Sequence, residues 1–380
     1  MSTAGVAPRA TREEKDRLLD DFVRLCEIES PSRRERACVD AVATELRGLG
    51  LQVEEDVSGQ ETGSDSGNLI ARIDGPADAR TVMLCAHLDT VPLEGPVEVV
   101  RENGTLTNKH DAILGADNKA AVAVILAAAR KLIREGSPVG IELVFTTCEE
   151  IGLRGAKALD RGKLVSEYGF VFDHASPIGE LVVAAPTYFR IDARFRGHAA
   201  HAGIRPEAGR NAIAAAAAAV SRLELGRVDD ESTANVGTIK GGTAANVVAE
   251  HCLVELEARS LDHGRAASMV SHMVDTITEA ASDAECDVET AVEEQNRGFR
   301  LARTSPPVAV TAAALEALGI EPSYVSTGGC SDANIFVAGG MPCLCVANGT
   351  ERNHQPDESV TVDALETMLD VTLGIVAQSA

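Results

Sequence analysis

The residues with chemistry to offer stand at the ends of short apolar runs. Cys85-Ala86-His87-Leu88-Asp89-Thr90 closes one of them. Side chains two positions apart on a strand share a face, so His87 and Asp89 lie side by side. That pairing suits a ligating imidazole whose second ring nitrogen is held by a carboxylate; a hydrogen-bonded structural pair would read the same way. Gly115-Ala116-Asp117-Asn118-Lys119-Ala120 puts an acid where a loop meets a helix start, a place that fits an N-cap as well as a ligand. Phe145-Thr146-Thr147-Cys148-Glu149-Glu150 carries two adjacent acids off an apolar strand. Adjacent side chains diverge, so one can grip a cation while its neighbour moves a proton. Val171-Phe172-Asp173-His174 ends a further run with an acid. Ligands of α/β sheets gather beyond the carboxyl ends of strands, and three such ends here carry His, Glu and Asp. Their convergence on a divalent cation is a stronger reading than any member alone.

The elements that must position them follow from periodicity. Apolar runs at 68–73, 81–88, 141–147 and 169–172 are short and bounded by turn residues, as buried strands are. Thr11 with Glu14 forms a capping box ahead of a helix to about Ile28; further helices are expected over 33–46 and 118–134. Strands alternating with helices predict an α/β sheet covered on both faces. After Val183 the pattern turns to α+β, with half-exposed strands at 187–195 and 247–259 and helices at 211–223 and 263–281. From Pro306 the first style returns: a helix to Leu318, a strand at 342–346 and a last helix near 362–376. The expected organisation is a discontinuous domain, 1–184 and 298–380, carrying an inserted domain of 185–297.

Six segments in this order resemble the M20 metallopeptidases and, within them, the peptidase T-like (tripeptidase) branch. They are His87-Leu88-Asp89-Thr90-Val91-Pro92, Gly115 to Ala120, Cys148-Glu149-Glu150-Ile151-Gly152, Phe172-Asp173-His174, Gly197 with His201-Ala202-Gly203, and Gly328-Gly329 with Ser331-Asp332-Ala333-Asn334. The resemblance runs from about residue 10 to 376. It implies a zinc-peptidase-like catalytic domain with a mixed sheet, plus a lid and dimerisation domain hinged near 185 and 297. It makes His87 and Asp173 ligands of one metal, Glu150 and His354 ligands of a second, and Asp117 the bridge between them. Glu149 becomes the general base, and Asp89 orients His87. Three protein contacts per ion leave room for water and substrate; two Zn2+ fit the donors, with Co2+ or Mn2+ able to replace them. A cis peptide after Asp117 is also implied. His201 would stabilise the oxyanion in the site of a partner subunit, with His198 as its local competitor, and Asn246 and Arg259 would contact substrate. A strand-edge salt bridge accounts for Arg259 equally well. Two departures stand out: Asn118 where relatives carry a second Asp, and Gln355 where many carry Thr.

The implied activity is release of the N-terminal residue from short peptides, tripeptides above all, by a homodimer. Rival readings on the same residues are an N-acyl amino acid deacylase or a glutamate-type carboxypeptidase. A metal-retaining binding protein without catalysis is more remote, because Glu149 is in place. The chain of 380 residues has a formal charge of −23, the wrong balance for displacing counterions from nucleic acid. Its longest apolar stretch, 120–129, is short of the ~20 residues that cross a bilayer, and residues 1–17 lack a signal-peptide core. The nine cysteines form no CxxC and most sit in apolar runs, as free thiols in a reducing compartment do. A cytoplasmic enzyme is the resulting expectation, with no nucleic-acid or membrane partner.

Overall fold

The computed structural model describes residues 8–380, so the first part of the leader reading, residues 1–7, lies outside the described residues. The chain forms two compact units. The first runs to Val183 and resumes over Leu301–Ser326 and Ser331–Ala380; the second is Ala184–Arg300 with Thr327–Cys330.

The first unit is built on a mixed sheet. Its centre is four parallel strands in the spatial order Gly140–Thr146, Thr81–His87, Tyr168–His174, Cys343–Ala347. Antiparallel strands flank them: Leu69–Ile73 and then Val53–Glu55 on one side, Glu180–Ala185 on the other. Val82 through Ala86 are each 0% exposed, so the central strand is covered on both faces and reads as an unbroken apolar run. Val82, Leu84 and Ala86 join Leu143, Phe145, Phe170 and Phe172 in one core with the helices Arg12–Cys26, Ala116–Glu135 and Val362–Gln378. Thr11 and Glu14 make the expected reciprocal cap of the first helix. Lys119 is buried at the start of Ala116–Glu135, and its ammonium donates to Leu25 O and Ile28 O at 3.1 and 2.9 Å. The ammonium thereby ties this helix start to the end of the Arg12–Cys26 helix and to the turn that follows it.

The second unit is a five-stranded antiparallel sheet in the order Gly226–Asp229, Ser232–Gly241, His251–Ser260, Thr187–Arg196, Asp287–Asn296. Ile191, Ala193, Phe195, Val254, Leu256 and Ala258 pack one face against the helices Ala212–Arg222 and His263–Asp283. Alternation leaves Tyr188, Arg190, Asp192, Glu255, Glu257 and Arg259 for the other face. Two strands of this sheet carry too few apolar residues to be read from pattern: Ser232–Gly241 is small and polar, and Asp287–Asn296 is acidic. Pairing with neighbours creates them. The strand expected from 247 starts at His251, because the residues before it bond elsewhere: Ala202 N donates to Asn246 O and Val248 N to Ala200 O, both at 2.9 Å.

Candidate metal centre

Parallel strands end at the same edge of a sheet, and that geometry gathers the donors of the first unit. His87 closes Thr81–His87, Asp173 lies in Tyr168–His174, and Glu149 and Glu150 follow Gly140–Thr146 by a tight turn. His354 lies in the segment after Cys343–Ala347, and Asp117 starts the Ala116–Glu135 helix. Ligating atoms of His87, Asp117 and Glu150 lie within 4.8 Å of one another, as do those of His87, Glu149 and Asp173.

Asp117 is shared between the two histidines. His87 Nε2 is 3.2 Å from its Oδ1 and 3.4 Å from Asp173 Oδ1. His354 Nε2 is 3.3 Å from its Oδ2 and 3.0 Å from Glu150 Oε1. Two trios result, His87–Asp117–Asp173 and His354–Asp117–Glu150, with one carboxylate contributing an oxygen to each. The Asp117–Asn118 peptide is cis. Asn118 is fully buried, and its Nδ2 donates to Asp173 Oδ1 at 3.3 Å.

Asp89 is fully buried and holds more than the imidazole. His87 Nδ1 lies 2.9 Å from its backbone oxygen and 3.5 Å from its Oδ1. The carboxylate itself accepts from Glu149 N at 2.9 Å, Glu150 N at 3.1 Å and Ser32 Oγ at 2.6 Å. It therefore fixes the Glu149–Glu150 turn and the His87 ring together.

Burial raises three of the four acids. It pushes Asp173 up to about 7 against the opposing pull of His87, and raises Glu149 well above the usual carboxylate range with Asp173 adding to it. Glu150 is also raised by burial. Burial acts the same way on Asp117, but hydrogen bonds from His354 and His87 outweigh it and hold this carboxyl low. Bonds to Asp117 and Glu150 lift His354 to about 10. Burial would lower His87, but Asp173 and Asp117 overcome it and raise this imidazole. Two imidazoles facing four acids leave an excess of buried negative charge, which divalent cations would relieve. Mixed imidazole and carboxylate donors of this kind fit zinc, cobalt or manganese.

The remaining predicted residues belong to the second unit. His201 is exposed; its Nδ1 accepts from Gly203 N at 3.2 Å, and backbone pairing ties its loop to Asn246 and Val247. Arg259 stacks over the Tyr188 ring at 4.3 Å, donates to Glu257 Oε2 at 3.0 Å and reaches Gly328 O at 3.1 Å.

Sequence reasoning overlooked several buried groups around the donors. Glu35, fully buried, accepts from Cys148 N at 3.0 Å, bracing a residue whose φ is +54°. Asp332 accepts from Thr146 Oγ1 at 2.6 Å. Glu358 accepts from Gly115 N and Asp117 N, and Asn353 Nδ2 donates to Asp117 Oδ2. Glu35, Asn353 and Glu358 carry no local pattern, and Asp332 was met only inside a matching segment; the helix start at Gly115, which has no capping side chain, was the available signal that an acceptor such as Glu358 was needed.

A mixed α/β fold that gathers imidazole and carboxylate donors at one sheet edge is suited to metal-assisted hydrolysis. The chain belongs to peptidase family M20/M25/M40, whose profile it matches over residues 83–378. It is similar to the uncharacterized protein YqjE of Bacillus subtilis (strain 168), 35% identical over 365 residues that cover 96% of this chain and 98% of that one. Among solved structures it resembles aminopeptidase PepT from Bacillus cereus ATCC 10987, with TM-score 0.88 and 34% identity over 96% of this chain and 98% of that one. A tripeptidase from Staphylococcus aureus subsp. aureus Mu50 superposes with TM-score 0.91 and 32% identity at the same coverage. Among the described residues, no helix is long and apolar enough to cross a membrane.

Proposed function

We propose that this metallopeptidase is a dinuclear aminopeptidase that releases the N-terminal residue of tripeptides in the cytoplasm. The observation that carries the dinuclear reading is the division of Asp117, one oxygen toward His87 and Asp173, the other toward His354 and Glu150. His87, Asp117 and Asp173 would hold one ion, and Asp117, Glu150 and His354 the other, most simply Zn2+. The chemistry supplied by such a pair when bound is Lewis acidity toward the scissile carbonyl and acidification of water toward pKa ~7. Glu149 lies close to His87 and Asp173, and with Asp117 as the third ligand of that ion it would be left free to move a proton. It takes the proton of the attacking water and delivers it to the leaving amine. A buried carboxylate at the rim of the donor set is placed for both halves of that transfer.

Cleavage at the N-terminus and a three-residue substrate are supported by the likeness to an aminopeptidase and a tripeptidase, which the chain matches over nearly its whole length. Arg259 presents a planar fork that would bind a peptide carboxylate, and Asn246 would contact the backbone. His201 would stabilise the oxyanion in the site of the partner subunit, with 185–297 serving as the lid and dimerisation domain of a homodimer. A panel of free tripeptides set against N-acetyl amino acids and γ-glutamyl conjugates tests the substrate reading. Turnover confined to the acylated or γ-linked compounds would replace it with a deacylase or a carboxypeptidase.

A further inference from the structure

The helix that carries Asp117 begins without a cap of its own. Gly115 is its N-cap, in the left-handed region at φ +75°, and has no side chain to accept from the first amides. Those amides are orphan donors, and a buried one needs an acceptor from elsewhere. The acceptor is Glu358, 1% exposed, whose Oε2 takes Gly115 N at 2.8 Å and whose Oε1 takes Asp117 N at 2.9 Å, across 243 and 241 residues of sequence. Four positions before it stands His354, and Asn353 Nδ2 donates to Asp117 Oδ2 at 2.8 Å. A single segment therefore meets Asp117 three times: at its backbone through Glu358, at one carboxylate oxygen through Asn353, and at that same oxygen through His354. The segment is itself braced by Glu358 N donating to Gln355 O at 3.0 Å.

We infer that Glu358 and Asn353 are positioning residues that clamp Asp117 so that its two oxygens face the two histidines. The inference rests on the dinuclear reading above. Glu358 supplies no ligand atom. It fixes the backbone from which the shared carboxylate projects, and Asn353 selects the rotation of that carboxylate by binding Oδ2 and leaving Oδ1 toward His87. Groups that orient a ligand in this manner change metal affinity about ten- to hundredfold when removed.

The experiment compares the wild-type chain with Glu358→Gln and Asn353→Ala. Zn2+ stoichiometry and affinity are read by competition with a chromophoric chelator, metal-free thermal unfolding is recorded, and kcat and KM are measured on a tripeptide. Glu358→Gln keeps the shape of the side chain but sets an amide N–H against a backbone N–H. The expected result is a loss of about ten- to hundredfold in Zn2+ affinity, with a fall in kcat larger than any rise in KM. Asn353→Ala should move the same quantities in the same direction by less. A Glu358→Gln protein that unfolds earlier but binds Zn2+ as the wild type does would make Glu358 a helix cap only, and overturn the inference. If that variant does not fold, Asn353→Ala decides: unchanged Zn2+ affinity overturns the clamp, and weakened affinity supports it. A wild-type chain that takes up no Zn2+ overturns the dinuclear reading itself, a result separable from equal binding by wild type and variants.

Discussion

Glu149 and Glu150 are neighbours in sequence and both lie near His87, but their other partners differ. Glu150 Oε1 faces His354 Nε2 at 3.0 Å, whereas Glu149 sits beside His87 and Asp173. Removing Glu149 should therefore leave Zn2+ content intact while kcat falls by roughly 10²–10⁴. Elemental analysis with tripeptide kinetics on Glu149→Ala checks this, and near-normal hydrolysis would remove Glu149 from the role of base. Asp89→Ala acts differently, since it strips acceptors from Glu149 N and Glu150 N and from the Ser32 hydroxyl. Zn2+ affinity and kcat should fall together, by about ten- to hundredfold. A variant that lost stability alone would confine Asp89 to folding.

At the scale of elements, the runs at 81–88 and 141–147 read directly as strands, because burial on both faces leaves a continuous signal. Ser232–Gly241 and Asp287–Asn296 carried no such signal, since their hydrogen bonds come from neighbours distant in sequence. Lys119 shows a connection of the same hidden kind. A lysine near a helix start reads as solvated, but here it joins Ala116–Glu135 to the end of Arg12–Cys26. Lys119→Met fills similar volume and leaves Ile28 O without that donor, while Leu25 O keeps its bond from Ile28 N. The expected cost is about 1–3 kcal/mol per orphaned group, read as a lower urea midpoint at unchanged slope. An unchanged midpoint would show that the ammonium only offsets its own desolvation.

For the whole molecule, the proposed action of His201 in trans makes a prediction that neither unit makes by itself. His201→Ala should lower kcat by roughly 10²–10³ and leave Zn2+ bound. Mixed with Glu149→Ala and allowed to exchange subunits, it should regain activity, because one site of the mixed dimer then has Glu149 and the partner subunit's His201. Failure of the mixture to recover, with exchange demonstrated by differently tagged chains, would place His201 in its own subunit's site or outside catalysis. A monomer with full activity at high dilution would argue the same way. Chelation should abolish tripeptide turnover and lower the unfolding temperature, because the crowded acids around Asp117 and Asp173 lose the cations that offset their repulsion. Both should return on adding Zn2+.

Residue type and local period were enough to mark His87, Asp117, Glu149, Glu150 and Asp173 as candidates, because each ends an apolar run or opens a helix. They were enough also for the α/β character of the first unit. The pairing of these residues into two trios was decided by tertiary structure: four parallel strands present their ends at one edge, and a segment from near the C-terminus returns to meet them. The grip of Glu358 on Gly115 and Asp117 was decided there too. A buried amide needs an acceptor, and nothing in its own stretch of sequence says from where in the chain that acceptor will come.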